Sequence, residues 1–234
     1  MLAILERELR AFFISPVAYV FLAVFYAISG YYFWGFQLMS GSGDFSSLFY
    51  AMFSVVVFIT PLLTMRVLSE ERRHRTDQAL ITAPVSLASI VTGKYLATVV
   101  VFLTGELVML LYLWVVASHT TVEYGVFFSS YIGLLLLGMS LCAIGVFVSS
   151  LTESQIIAAV VSTGIGLALY LLDSLTYVTN NPTVSDIVSH ISFYSRYQGF
   201  GTGLLDPSDI LFFVSVIVLF NFLTARTLEK RRWS

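Results

Sequence analysis

The sequence predicts an all-α integral membrane protein, one transmembrane domain over residues 1–234 with six spanning helices, and three observations carry that prediction. Only 11% of the 234 residues are charged and 58% are hydrophobic, whereas ordinary soluble domains carry about 25% charged residues. Mean hydropathy is +0.88. Apolar stretches of about 20 residues, the length that crosses a bilayer core as a helix, recur along the chain, and the charges between them are segregated. A net charge of −2 says nothing about nucleic acid, but the basic residues are sorted by side and not gathered into a groove that would bind it. The single cysteine, Cys142, lies in an apolar stretch and reads as a small core residue.

The amino-terminal segment LAILERELRAFF places Leu2, Leu5, Leu9, Phe12 and Phe13 on one face and Glu6, Arg7 and Arg10 on the other. That pattern suits a helix lying along the membrane interface. Its charges, and the length of the apolar run after it, argue against a cleavable signal peptide. Pro16 then opens the first span, at a helix position where its missing N–H costs nothing. The spans are expected at Val17–Phe36, Leu48–Met65, Tyr95–Ala117, Val126–Ser149, Ile156–Leu172 and Ile210–Ala225. Pro61 should kink the second. Small residues gather in the fourth and fifth (Gly133, Gly138, Ser140, Gly145; Ala158, Ser162, Gly164, Gly166), as close helix approach in lipid requires. Tyr31, Tyr32 and Trp34 read as an interfacial belt, and the deeper Tyr26 as belt or path wall.

The connections set the orientation. Of the twelve Lys and Arg residues, eleven fall in the amino-terminal segment, the 66–94 loop and the carboxy-terminal tail, and one in 173–209. The positive-inside rule places both termini and the 66–94 loop in the cytoplasm. The external 173–209 stretch mixes Ile187, Phe193, Tyr194, Tyr197 and Phe200 with Ser, Gly and Asn, and is expected to form one or two short helices dipping into the outer interface.

The densest charge lies in Arg66–Ser86, with Arg66, Glu70, Glu71, Arg72, Arg73, Arg75 and Asp77 between two apolar spans. A solvated connection that only sets topology would carry such charges. It has no reason to add Thr76, the apolar triplet Ala79-Leu80-Ile81 and Pro84. The pattern E-E-R, T-D-Q-A-L, A-P-V-S resembles the first cytoplasmic loop of the permease subunits of second-class ABC exporters, a family that includes drug, lipid-linked polysaccharide and gliding-motility permeases. The opening RELRAFFISPVAYVFLAVFYAISGYYF and the short first external loop look most like the gliding-motility-associated members.

The resemblance implies a coupling helix docked on a separate ATPase subunit, with Glu70, Glu71, Arg72, Thr76, Leu80 and Pro84 as coupling residues. It implies two permeases and two ATPase copies in a bacterial cytoplasmic (inner) membrane, with ATP and Mg held by the ATPase and no cofactor in this chain. It also implies a path along the first, second and fifth spans, supplied here by Tyr19, Tyr26, Phe53, Thr60, Ser162 and Tyr170, with Glu106 in the third span as a polar element. Such a lining would suit an amphipathic or lipid-like cargo. A second reading is ATP-driven mechanical transmission to a large external membrane protein docked at Phe193, Tyr194, Tyr197 and Phe200.

Other chemistry finds little support. Glu70-Glu71-Arg72-Arg73-His74-Arg75 satisfies the E-E-x-x-x-R pattern of intramembrane prenyl-type proteases, yet His74, His119 and His190 all lie outside the expected spans, where such enzymes need histidines to activate water. Gly93-Lys94-Tyr95 is the nearest approach to a phosphate-binding loop and lacks its hydroxyl and upstream glycine. Glu106, ionisable inside a span, reads either as a transport-path element or as a neutral acid bonded to Thr104, Ser140 or Ser162.

Overall fold

The computed structural model describes residues 2–74, 86–172, 188 and 190–232, and all regular structure among them is helical. Helix α1 (Leu2–Ile14) runs into Ser15, whose hydroxyl accepts from the Val17 N–H at 3.2 Å and starts α2 (Pro16–Phe33). A π-helical turn, Trp34–Leu38, extends α2. There follow α3 (Ser46–Thr64), α4 (Ser69–Arg73), α5 (Leu87–Glu106), α6 (Val108–Ala117), α7 (Tyr124–Leu151), α8 (Gln155–Leu171), α9 (Phe193–Gly201) and α10 (Pro207–Arg232). Serine side chains cap α5, α8 and α9 through Ser86, Ser154 and Ser192, each satisfying an N–H that the first helical turn leaves without a partner.

Five helical stretches are long and apolar enough to cross a membrane: Pro16–Leu38, Ser46–Arg73, Leu87–Ala117, Tyr124–Leu151 and Pro207–Lys230. The expected fifth span corresponds to α8, which is apolar but only 17 residues long. The third span departs from expectation at both its start and its middle. It begins at Leu87, not Tyr95, because Lys94 lies fully buried inside the helix instead of marking its wet end. It is also interrupted at Leu107, directly after Glu106. The last helix continues through the basic tail to Arg232, beyond the expected Ala225.

Helix α7 is the central element, packed against α3, α5, α8, α9 and α10. Its glycines permit this. The Phe102 ring of α5 occupies the space a Cβ at Gly138 would need, the Thr64 side chain of α3 does the same at Gly145, and a Cβ at Gly133 would lie 2.7 Å from Phe200 of α9. Without bulk at these positions the neighbouring helices close onto the α7 backbone.

The two poles of the bundle differ. At one, α9 is wedged among α3, α7, α8 and α10, with Tyr197 and Phe200 fully buried and the Tyr197 hydroxyl donating to the Phe49 carbonyl at 3.0 Å. Arg196 joins α9 to the start of α10 through Asp209 (2.8 Å) and Ser208 (3.1 Å). The other pole carries α1, α4 and most of the charge. Helix α1 rests on α5 and α2. It presents Phe12 and Glu8 inward, while Leu2 and Phe13, expected on the apolar face, are exposed.

Candidate functional site

The charged pole is built around the short segment that leaves α3. Met65 ends α3 and α4 restarts at Ser69, so backbone groups are left over at both breaks. Ser149 of α7 covers them: its hydroxyl accepts from the N–H groups of Leu68 (3.1 Å) and Ser69 (3.0 Å) and donates to the Met65 carbonyl (3.1 Å). Replacing Ser149 by Ala should therefore lower stability by about 1–3 kcal/mol, the cost of buried groups left unsatisfied. Thermal unfolding of the purified variant measures this, and an unchanged midpoint would show that the cap contributes nothing.

Ion pairs hold the same segment from three further directions. Arg66 pairs with Glu70 at 2.8 Å and also reaches Ser15 before α2. Arg72 contacts the turn between α7 and α8 through Glu153 (3.1 Å) and the Leu151 carbonyl (2.6 Å). Glu71 pairs with Lys94 of α5 at 2.9 Å and Arg7 of α1 at 3.0 Å. Lys94 and Arg7 also share Glu8 of α1, at 3.1 and 2.6 Å, closing a ring of two cations and two carboxylates. Partial burial opposes the charge of Arg7, but its hydrogen bonds to Glu8 and Glu71 and their fields outweigh that and raise its pKa. Losing one partner of a buried pair costs about 3–5 kcal/mol, so Lys94, with no exposed surface, depends on both acids. A cleft of about 350 Å³ opens beside the ring, lined by Arg7, Glu8, Phe12, Arg66, Glu71 and Lys94 among others.

Glu70, Glu71 and Arg72 are thus brought together as anchors, whereas Thr76, Leu80 and Pro84 lie outside the described residues. Glu8 and Ser149 were not singled out from the sequence, and Lys94 was weighed there only as a phosphate-loop lysine and set aside. A lysine counted as part of a loop, a glutamate on the apolar side of an amphipathic helix and a serine at a helix end are individually ordinary. Only the breach of pattern at Glu8 offered a signal.

The sequence model of the family described as "ABC-2 family transporter protein" matches residues 35–220, well over half of the chain. The chain belongs to the ABC-2 transporter family. No curated protein matches it. The match takes in α3 to α9 and the first half of α10 and leaves out α1 and α2. An ABC-2 chain is the multi-pass membrane component of an ABC transporter, embedded in a bilayer and partnered by an ABC ATPase, and is not itself the ATPase.

Within this ABC-2 chain the residues expected along a path divide into two groups. Tyr19 is exposed on α2, and so is Tyr26, whose hydroxyl donates to the Thr104 carbonyl at 2.9 Å, just before the break in the third span. Phe53, Thr60, Ser162 and Glu106 are buried inside the subunit, and Tyr170 is half-buried. Phe53 packs against Tyr170, Tyr194 and Tyr197, with ring centroids 5.1–6.0 Å apart. The bonds suggested for Glu106 do not form. Thr104 donates to Val100 and Ser140 to Leu137, and both Glu106 oxygens and the Ser162 hydroxyl are buried without a partner. At the far pole Phe193, Tyr197 and Phe200 are buried in the protein's own core, and Tyr194 is partly covered. Among the described residues no three His, Cys, Asp or Glu side chains gather into a metal site.

Proposed function

We propose that the chain is the permease subunit of an ABC exporter in a bacterial cytoplasmic membrane, with α8 as a sixth span and both termini in the cytoplasm. Two permeases work with two ATPase copies that bind ATP and Mg. The observation that carries this reading is the fixed segment 66–74. Ser149, Arg72, Glu71 and Arg66 tie it to α7, to the α7–α8 turn, to α5 and α1, and to Ser15. A push on the residues that follow would therefore reach five parts of the bundle at once. Glu70, Glu71 and Arg72 serve as the foot of the lever, and Thr76, Leu80 and Pro84 as its contact with the ATPase.

Crosslinks from Thr76→Cys or Leu80→Cys should reach the ATPase in the purified complex. Leu80→Trp should reduce transport per ATP by about 5- to 150-fold, the range that coupling energies of about 1–3 kcal/mol produce, without lowering the unfolding midpoint. A loop that never crosslinks to the ATPase rejects the reading. Orientation has its own test: in intact cells Leu204→Cys should react with an impermeant thiol reagent and Ser86→Cys should not. The reverse labelling would invert the topology.

The cargo this reading favours is amphipathic or lipid-like, because the exposed faces of α2 and α8 are apolar with scattered hydroxyls from Tyr19, Tyr26 and Tyr31. Helix α8 leaves Ile156, Val160 and Gly164 uncovered, a face a second permease would cover. The mechanical alternative, close to the gliding-motility-associated permeases, draws on α9. This helix is locked to α10 and buried in α3 and α7, so motion of the bundle would carry directly to the outer surface. An external partner would then dock on Tyr194 and its exposed neighbours Ile191, Leu204 and Leu205, with Phe193, Tyr197 and Phe200 transmitting from beneath. Isolation from native membrane with a large single-span protein in addition to the ATPase would favour this alternative.

A further inference from the structure

Lys94 donates to Glu8 of α1 (3.1 Å), to Glu71 of the 66–74 segment (2.9 Å) and to the Val67 carbonyl (3.1 Å). An ammonium has three donors, and all three are used. We infer that Lys94 is a positioning residue that makes α1 a moving part of the coupling apparatus, so that displacement of the 66–74 segment carries the amino-terminal helix with it. This rests on the reading of residues 70–84 as the ATPase contact.

The argument turns on burial. Lys94 has no exposed surface, so water cannot replace a carboxylate that withdraws, and an unpaired charge in an apolar bundle is strongly disfavoured. Both acids must therefore follow the lysine. Arg7, half exposed, closes the same ring from the wet side, where water can stand in for it. Glu8 is otherwise out of place. It lies on the inward face of an interfacial helix, four residues before the buried Phe12, where an apolar residue would hold α1 to the bundle at less cost. A carboxylate there is explained by its link to Lys94. Simple anchoring would leave α1 free to stay with the lipid when the foot moves.

Spin-label distances in nanodiscs, in a Cys142→Ala background, test the linkage without any ATPase. The pairs are Arg10→Cys with Ala88→Cys (α1 to α5), Arg10→Cys with His74→Cys (α1 to foot) and His74→Cys with Ala88→Cys (foot to α5). Glu8→Gln should broaden the two distributions that include α1 and spare the third, and Lys94→Met should broaden all three. A control pair at the other pole, Tyr124→Cys with Leu204→Cys, should stay narrow. Unchanged widths in Glu8→Gln overturn the inference even if Lys94→Met fails to fold.

In the complex with the ATPase, ATP should shift the Arg10→Cys to Leu204→Cys distance, and Glu8→Gln should abolish that shift while the His74→Cys to Leu204→Cys shift persists. If ATP moves the foot but not α1, the inference falls and the docking reading stands. If ATP moves neither, the docking reading falls, and the first measurement still decides the linkage.

Discussion

Gly138→Val is expected to cost more stability than any other single change at the helix contacts. The Phe102 ring already fills the space of a Cβ there, and Phe102 cannot yield, being fully buried against Phe21 and Phe25 with ring centroids 6.3–6.4 Å apart. Overpacking of this kind costs about 1–3 kcal/mol and occasionally more, and in a chain of this size each kcal/mol lowers the unfolding midpoint by about 2–4 °C. Gly164→Val is the control, since no heavy atom lies within 4 Å of a Cβ at Gly164. Its effect on the isolated subunit should stay within about 0.5 kcal/mol. Thermal unfolding in detergent compares the two, and equal midpoints would show that α5 and α7 do not meet at Gly138. Shortening the opposing ring in the double variant Gly138→Val/Phe102→Leu should recover part of the loss.

Glu106→Leu is expected to act in the opposite direction. Both carboxyl oxygens are buried without a hydrogen-bond partner, a condition that costs about 1–3 kcal/mol per group and is relieved when an apolar residue of similar size takes the place. The unfolding midpoint should therefore rise. An unchanged or lower midpoint would mean that Glu106 has a partner in the membrane-embedded protein. Glu106→Lys should do the reverse and prevent assembly, since the side chain at this position is buried without a hydrogen-bond partner and an unpaired buried ammonium is strongly disfavoured. Transport by Glu106→Leu separates the two roles: lost transport with a gain in stability marks a group retained for function at a cost to the fold, whereas unchanged transport makes it a feature of the bundle alone. The carboxyl lies directly before the interruption of the third span at Leu107 and two residues after Thr104, whose carbonyl accepts from Tyr26.

How much was legible in the sequence depended on the range of the physics involved. The helices at Ser46–Thr64 and Tyr124–Leu151 lie within a few residues of their expected limits, because a run of apolar residues states its preference without reference to the rest of the chain. The small residues of the fourth and fifth spans were likewise read as contacts, and Gly133, Gly138, Gly145 and Gly166 each receive a neighbour's side chain, whereas Gly164 faces open space. Hydropathy misplaced the start of the third span by treating Lys94 as a boundary. A lysine is a boundary only where no acid comes to meet it.

The sequence by itself determined that this is a helical membrane protein, roughly where its long helices lie, and that its charge gathers between the second and third of them, since composition and period are sums over local residues. Only the tertiary structure decided which groups meet. Glu8 and Lys94 are far apart in the chain, as are Ser149 and Leu68, and Tyr197 and Phe49. Whether a buried ionisable group finds a partner, as Lys94 does, or finds none, as Glu106 does, depends on the packing of other helices around it. Electrostatic and hydrogen-bond energies act over a few ångströms of space, and a linear sequence does not record which residues will share those few ångströms.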